Sequence, residues 1–276
     1  MIHEESYLQS ADGIKLYFQR WEPKDCIEGV ICLVHGLGEH SSRYTHWAER
    51  LTGTDYVLSS MDLRGHGRSG GQLGDALSYE NYLDDISLLL EDAASRFPGK
   101  PLFLYGHSLG GLLSLYYLIK RKPELAGVVV TSPAVDTDAG NNKLLRFVIP
   151  VLTPIIPKIS FPNKLELPAL SKDQEVVEAY KNDPLVHDRV TVRMARGMIL
   201  AVNEVNSSAS EISIPILIMH GSADRITYPS GSRRIAGSLS SNCELKVWED
   251  CYHELHNEPE KEEVFQYLLD WLNKFK

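Results

Sequence analysis

Short apolar runs alternate with amphipathic stretches along most of the chain. The runs at 30–34 and 126–131 are apolar almost throughout, which is typical of strands buried on both faces of a sheet. Between such runs, apolar residues recur at helical spacing, most clearly over 82–97. Strands that alternate with helices in this way predict an α/β fold with a mostly parallel, doubly wound sheet.

The same pattern places the individual elements. An Asp12-Gly13 turn separates the first two strands and indicates a hairpin. The predicted strands are 7–10, 14–21, 30–34, 56–61, 101–105, 126–131, 214–219 and 245–248. The predicted helices are 43–51, 82–97, 109–122, 174–180, 192–202, 233–239 and 262–275.

One segment breaks this rhythm. From about 138 to 206 no strand pattern is convincing, and the stretch 144–161 is apolar and rich in proline. We interpret 138–206, called the cap segment below, as a mainly helical insertion between two sheet strands that lies over the site as a lid. Three prolines within 147–157 predict that the apolar stretch does not form one long helix. Residues 1–276 then form a single domain that carries this cap.

Composition excludes several classes of protein. Hydrophobic residues make up 43% and charged residues 24% of the 276 residues, as expected of a globular domain. The net charge of −9 disfavours a general affinity for nucleic acid. The N-terminal residues show no signal peptide, and the longest apolar region, 147–161, is too short and too interrupted to span a bilayer. We therefore expect a cytoplasmic protein.

No cofactor or metal is expected from the sequence. The four cysteines are scattered without a C-x-x-C pair, which favours reduced thiols. Residues 253–256 are one position short of the H-E-x-x-H zinc motif. Residues 65–70 fit G-x-G-x-x-G, but they do not form a tight strand-to-helix turn, so dinucleotide binding is rejected.

A serine nucleophile is the strongest chemical signal. Residues 106–110 read G-H-S-L-G and lie between a predicted strand and a predicted helix. This setting holds a serine up from a sharp turn at the edge of a sheet, so Ser108 is the predicted nucleophile. Residues 67–71 match the same pattern, but no strand leads directly into them. Ser69 is therefore interpreted as a loop serine.

A serine hydroxyl needs a base, and the base needs an orienting acid. Asp224 and His253 each follow a predicted strand, and the chain order Ser, Asp, His is that of α/β-hydrolases. We predict that His253 is the base and Asp224 the acid. Asp250 is the competing acid, but it lies too close to His253 in the chain to support its ring from another strand. His256 is the competing base, for which we favour a hydrogen-bonding or capping role near the last helix.

The oxyanion formed in acyl transfer needs N–H donors. Residues 35–40, H-G-L-G-E-H, follow the strand 30–34 and form a glycine-flanked turn. We predict that the N–H groups of Leu37 and Leu109 form the oxyanion hole. The alternatives are a plain tight turn or a nucleotide loop in which Ser41 replaces the third glycine.

Five motifs resemble those of the α/β-hydrolase superfamily, and more narrowly the monoacylglycerol lipase and lysophospholipase group. They are 35–44 (H-G-x-G-E-H-x-x-R-Y), 62–69 (D-x-x-G-H-G-x-S), 106–111 (G-H-S-x-G-G), 220–224 (H-G-x-x-D) and 252–256 (Y-H-x-x-H). The resemblance covers nearly the whole chain. It implies the α/β-hydrolase fold with a cap and a lipase or esterase that cleaves monoacylglycerols.

The sequence therefore predicts a serine carboxylic ester hydrolase that releases fatty acid and glycerol from a small lipid ester. Its cap would also contact a membrane or micelle surface peripherally. Lysophospholipase, thioesterase, peptidase and non-catalytic ligand-binding functions remain alternatives. The apolar stretch 144–161 favours an acyl chain over a peptide, and we expect Leu145, Val148 and Leu152 to contact it.

Overall fold

The structure is a computed structural model that describes residues 1–239 and 242–276. Ten strands are found in these residues, eight of them in one sheet. The strands are β1 Ile2–Gln9, β2 Lys15–Glu22, β3 Gly29–Val34, β4 Tyr56–Met61, β5 Leu102–His107, β6 Gly127–Thr131, β7 Ser160–Pro162, β8 Arg189–Thr191, β9 Ile216–Gly221 and β10 Cys243–Trp248.

Nine α-helices lie in the same described residues. They are α1 Thr45–Thr52, α2 Glu80–Arg96, α3 Leu109–Arg121, α4 Asp138–Asn141, α5 Lys143–Leu152, α6 Gln174–Asn182, α7 Val192–Ser208, α8 Pro229–Ser238 and α9 Lys261–Leu272. Within the described part of the chain, no helix has the length and apolar character that crossing a bilayer requires.

The main sheet has the order β1-β2-β4-β3-β5-β6-β9-β10. The β1–β2 hairpin is antiparallel and β2 pairs antiparallel with β4, whereas all other neighbours are parallel. The predicted mostly parallel sheet is therefore confirmed. Parallel strands bring their carboxyl ends to one edge, so the loops after β3, β5, β6, β9 and β10 meet there.

Helices bury both faces of the central strands, which explains why β3, β4, β6 and β9 are buried along their whole length. On one face, α1 and α9 contribute Trp47, Leu51, Val264, Leu268 and Trp271 to the core. On the other face, α2, α3 and α8 pack a second core that contains the buried residues Leu89, Leu112, Leu115 and Ile235. The sheet is therefore a rigid platform for the loops at its edge.

Element boundaries differ from the prediction where proline intervenes. Helix α8 begins at Pro229, four residues before its predicted start. Proline suits the first turn of a helix because the missing N–H would have no helical partner there. Strand β9 is displaced by two residues from its predicted position because Pro215 precedes it and Ile216 is its first residue.

The cap segment lies between β6 and β9 and contains α4 to α7. It also contains β7 and β8, which pair with each other in a separate antiparallel sheet. The expectation that no strand occurs here is therefore wrong, because strands of three residues are too short to show an alternating pattern. Helix α5 includes Pro150 and ends at Leu152, and α7 reaches Ser208.

Candidate active site

Ser108 lies in the turn between β5 and α3, at the carboxyl edge of the sheet. Its backbone angles, φ 53° and ψ −112°, are unfavourable for a residue with a side chain, and such strain occurs most often at functional sites. The turn closes only because glycines flank it. A Cβ on Gly106 would lie 2.3 Å from the Gly110 carbonyl oxygen, and one on Gly110 would lie 2.0 Å from that of Val34.

Asp224 and His253 meet at the same edge. Asp224 follows β9, His253 follows β10, and both are almost fully buried. His253 Nδ1 lies 2.7 Å from Asp224 Oδ2. A carboxylate accepts a hydrogen bond from N–H, so this contact places the proton on Nδ1 and leaves the Nε2 lone pair free.

The charges in this pair stabilise each other. Burial by itself would raise the pKa of Asp224, but the neighbouring His253 and His220 lower it well below its usual range. Burial disfavours imidazolium, yet the Asp224 carboxylate outweighs that effect and raises the pKa of His253 above its ordinary value of 6.5. Asp224 is thus held ionised beside a histidine that can carry a positive charge.

Backbone and side-chain groups near Asp224 also orient its carboxylate, and sequence reasoning missed them. Asp224 Oδ1 accepts the N–H groups of Ile226 and Thr227 at 2.8 and 3.0 Å. The Thr227 hydroxyl lies 2.9 Å from Oδ2, and His220 Nε2 lies 3.1 Å from it. Aspartate often accepts a hydrogen bond from the backbone N–H two residues ahead, which forms a turn. The loop position of Asp224 was therefore the one signal in the sequence for these contacts.

Ser132 is a second residue that sequence reasoning missed. It follows β6 in a left-handed conformation with φ 45°. Its hydroxyl donates to the His253 carbonyl oxygen at 2.8 Å. The loop that carries His253 is therefore attached directly to the central strands of the sheet.

The predicted oxyanion turn follows β3 and faces Ser108. A Cβ on Gly36 would lie 3.3 Å from Ser108 Cβ. Leu37 and Leu109 both line the cavity at Ser108. Leu109 is the first residue of α3, where backbone N–H groups have no partner within the helix. The buried Glu39 carboxylate fixes the turn by accepting the N–H of Gly36 at 2.6 Å.

A buried ion triad connects this turn to the histidine loop. Arg43 donates to Glu39 at 2.6 Å and binds both oxygens of Glu254 at 2.7 Å. Burial would raise the pKa of each carboxyl, but the Arg43 guanidinium holds both below their usual range. Because Glu254 directly follows His253, one cation supports two sides of the site. Sequence reasoning did not find this triad.

The rival residues have other environments. The Ser69 hydroxyl accepts the Tyr17 N–H and donates to the Asp62 carbonyl oxygen, so it stabilises a loop. Asp250 is exposed in a left-handed turn with φ 56°.

The role expected for His256 is wrong. Its imidazole is fully buried, and neither ring nitrogen has a hydrogen-bond partner among the described residues. The ring stacks on Tyr44 at 4.6 Å and meets the edge of His107 at 5.0 Å. The ring acts as a packed aromatic group, and the His256 carbonyl oxygen accepts a hydrogen bond from His46 Nε2 at 3.0 Å.

A cavity of about 350 Å³ reaches Ser108 and His253. Apolar side chains of the cap segment form much of its wall, including Leu145, Ile149 and Met198. Of the three α5 residues expected to contact substrate, Leu145 lines the cavity. Val148 and Leu152 are half-buried, and neither is among the described residues of the cavity wall. An α-helix has 3.6 residues per turn, so only part of a continuous apolar run can face one cavity.

One group of side chains has the composition of a metal site. The ligand atoms of Cys251, Glu258 and Glu260 lie within 4.8 Å of one another. The Lys172 ammonium lies 2.7 Å from a Glu260 oxygen and 3.6 Å from a Glu258 oxygen, so a cation already neutralises these carboxylates.

The profile of the serine aminopeptidase S33 family of hydrolases matches residues 25–260. The chain belongs to this family. Together with the sheet topology, this membership makes the chain a serine hydrolase with the α/β-hydrolase fold, as the sequence predicts.

Individual relatives extend this similarity over nearly the whole chain. An abhydrolase domain-containing protein of Dictyostelium discoideum is 35% identical over 99% of this chain, which spans 29% of that protein's length. A monoacylglycerol lipase of Mycolicibacterium smegmatis is 34% identical over 94% of this chain and 93% of its own. The crystal structure of a monoacylglycerol lipase from Paleococcus ferrophilus has a TM-score of 0.87 and 33% identity, and the match covers 95% of this chain and 99% of that one.

Proposed function

We propose that the protein hydrolyses monoacylglycerols to fatty acid and glycerol, with Ser108 as nucleophile, His253 as base and Asp224 as orienting acid. The apolar cavity that reaches Ser108 and His253 carries this proposal. Similarity to two monoacylglycerol lipases supports it.

The chemistry follows from the hydrogen bonds of His253. Its Nε2 takes the Ser108 hydroxyl proton while Oγ bonds to the ester carbonyl carbon. The N–H groups of Leu37 and Leu109 stabilise the oxyanion. Collapse of this intermediate breaks the ester C–O bond, and His253 returns the proton to the departing glycerol oxygen. Water then attacks the acyl-enzyme by the same route and releases the fatty acid, while Asp224 stabilises the imidazolium in both steps.

The wall of the cavity suits a single acyl chain. Its volume of about 350 Å³ lies at the lower end of ordinary small-molecule sites, which suits one acyl chain. Burial of each methylene contributes about 0.8 kcal/mol, so an apolar wall selects for chain length. The cap segment supplies Leu145, Ile149 and Met198 to this wall. We therefore assign residues 138–206 the role of a substrate-binding lid on a single hydrolase domain.

Aminopeptidase activity is the second candidate, since it gives the family its description. A free amino terminus needs an acidic group without a cationic partner. Three acidic groups of the cavity wall already have such a partner: Arg43 binds Glu39 and Glu254, and Arg225 lies 2.9 Å from Glu166.

The wall also carries the acid Asp138 and the cation Arg146. Asp138 accepts a hydrogen bond from the Tyr228 hydroxyl at 2.7 Å. The guanidinium of Arg146, by contrast, donates to neutral oxygens alone among the described residues, those of Gly140 and Asn203. Arg146 would repel an ammonium group, so the charge pattern favours a neutral ester.

The outer face of α5 supports a peripheral contact with lipid. Leu144, Phe147 and Val151 are spaced by three and four residues and are 68%, 72% and 53% exposed. A stripe of this kind on a cap is suited to insertion into a micelle or membrane surface, where single-chain lipids reside. We therefore infer that substrate enters from such a surface through the cap.

A serine-directed fluorophosphonate probe and a substrate panel test the proposal. Wild-type protein should be labelled, Ser108→Ala should not, and the matched control Ser69→Ala should keep its label. The panel compares monoacylglycerols, triacylglycerols, lysophospholipids and aminoacyl amides, and monoacylglycerols should have the highest kcat/KM. Preference for aminoacyl amides would favour the peptidase, and absence of labelling would favour a binding protein without catalysis.

A further inference from the structure

The base of the cap touches the oxyanion turn directly. The His187 N–H donates to the Gly38 carbonyl oxygen at 2.9 Å. The approach is so close that a Cβ on Gly38 would lie 2.3 Å from the His187 carbonyl oxygen. A residue of the cap segment is thus in contact with the backbone that carries the Leu37 N–H.

The imidazole of His187 anchors this contact. Its Nδ1 accepts the Arg189 N–H at 3.1 Å, so the ring carries its proton on Nε2 and donates to the Gly65 carbonyl oxygen at 2.9 Å. The ring also packs on His66 with a centroid distance of 4.6 Å. Burial lowers the pKa of His187, which favours this neutral form. The Nδ1 bond is local to the cap, whereas the Nε2 bond ties the cap to the loop after β4, which carries Gly65.

Two further contacts come from the same stretch of the cap. His40 Nε2 lies 2.9 Å from Asp183 Oδ2, which ties the end of the oxyanion turn to the residue after α6. The Tyr180 ring lies 4.7 Å beneath the Arg43 guanidinium, which is bound to Glu39. Residues 180–187 are called the cap clamp here. They contact the oxyanion turn at Gly38 and at His40, and they contact Arg43 of the ion triad.

We propose that the cap clamp is a positioning element for the oxyanion hole, with His187 and Asp183 as its positioning residues. This inference rests on the proposed function, because it assumes that the Leu37 N–H stabilises an oxyanion. The clamp touches no reacting atom and acts by restraining the backbone at Gly38. The cap segment would then serve transition-state stabilisation as well as substrate binding.

The geometry predicts a specific kinetic effect. Loss of one oxyanion donor costs about 100-fold to 1000-fold in rate, and a loosened donor should cost part of that. We expect His187→Ala to lower kcat for a short soluble ester, p-nitrophenyl butyrate, by about 10-fold, with little change in KM. His187→Gln should recover part of the loss, because its amide can donate to Gly65. Asp183→Ala removes the acceptor of His40 Nε2 and tests the clamp independently if His187→Ala folds poorly.

Inhibitor binding separates positioning from a general effect on the cap. A trifluoromethyl ketone forms a tetrahedral oxyanion adduct with the serine, so its Ki should rise by the same factor as kcat/KM falls. An alkylglycerol ether occupies the cavity without an oxyanion, so its Kd should not change. The matched control is Gln72→Ala, which removes another contact between the core and the cap, the hydrogen bond from Gln72 to the Lys158 carbonyl oxygen. Gln72→Ala should leave kcat, the Ki of the ketone and the Kd of the ether unchanged.

Each remaining result would overturn the inference. Unchanged kcat and ketone affinity in both clamp variants would show that the clamp does not position the turn. Equal weakening of the ketone and the ether would show that it acts on substrate binding alone. Wild-type protein without fluorophosphonate labelling would overturn the proposed function and this inference together, whereas labelled wild type with unaffected variants would overturn the inference only.

Discussion

The cavity-facing side of α5 offers a test of how the protein selects its acyl chain. Leu145 and Ile149 are 36% and 5% exposed, and both line the cavity. Val148 lies on the same helix, half-buried and outside the described lining. Leu145→Ala and Ile149→Ala should therefore weaken long-chain substrates, and Val148→Ala provides the matched control.

The size of the effect follows from the carbons removed. Each change to alanine deletes three carbons, worth about 2.4 kcal/mol if fully buried against substrate. A side chain in the cavity wall faces the substrate on one side only, so about half of this is lost to binding, or ~1.2 kcal/mol. Since 1.4 kcal/mol corresponds to tenfold, KM should rise roughly sevenfold for each variant and about 50-fold for the pair.

The assay compares a long-chain monoacylglycerol with p-nitrophenyl butyrate, whose short acyl chain makes few wall contacts. Interactions that bind substrate and transition state equally change KM and leave kcat alone, so the long-chain kcat should not change. The Tm of each variant is measured alongside, because Ile149 is itself buried and its truncation creates a void.

Three results would refute this reasoning. Equal losses on long and short esters would mean that the residues support the cap and do not contact the acyl chain. A loss with Val148→Ala as large as with Leu145→Ala would mean that the two sides of α5 do not differ. The Leu145 side chain is 36% exposed, so its truncation should not prevent folding. Loss of folding in Leu145→Ala would assign this side chain to the core of the cap.

Phe147→Ser should weaken binding to lipid vesicles by up to about 2 kcal/mol, measured by co-sedimentation, and should leave hydrolysis of a soluble short ester unchanged. Asp224→Asn should lower kcat by about 10⁴, because an amide favours the wrong tautomer of His253. Protonated His253 cannot accept a proton, and its pKa is raised above 6.5. As the pH decreases, kcat/KM of the wild type should therefore begin to fall above pH 6.5. Asp224→Asn should move this fall to lower pH, because the carboxylate that raises the pKa is lost. Gly110→Ala should lower the free energy of unfolding by about 1–3 kcal/mol or prevent folding, whereas Gly237→Ala, in open space on α8, should not lower it.

Local signals in the sequence were enough to predict the sheet and most helices. Buried parallel strands have to be apolar on both faces, so runs such as 56–61 stand out without any knowledge of their neighbours. The turn around Ser108 is equally local, because strand, glycines and helix follow one another directly. The positions of Asp224 and His253 followed from strand order, since each lies just after a strand. Their catalytic roles stay predictions.

Contacts between distant parts of the chain could not be predicted in this way. Ser132 supports His253 from 121 residues away, and nothing near Ser132 distinguishes it from an ordinary loop serine. The same holds for the cap clamp, where His187 approaches Gly38 through main-chain atoms. Hydrogen bonds of the backbone carry no residue signature, so only the folded structure reveals them.

The ion triad shows why such contacts matter for the geometry of the site. Arg43 and Glu254 are 211 residues apart, and their side chains are 9% and 2% exposed. Removal of one partner from a buried ion pair costs about 3–5 kcal/mol, because the other charge is left buried without compensation. This cost applies to a folded chain in which one of the two side chains stays buried without the other. The ion triad therefore joins the oxyanion turn to the histidine loop across 211 residues, and no local segment of the sequence can encode that geometry alone.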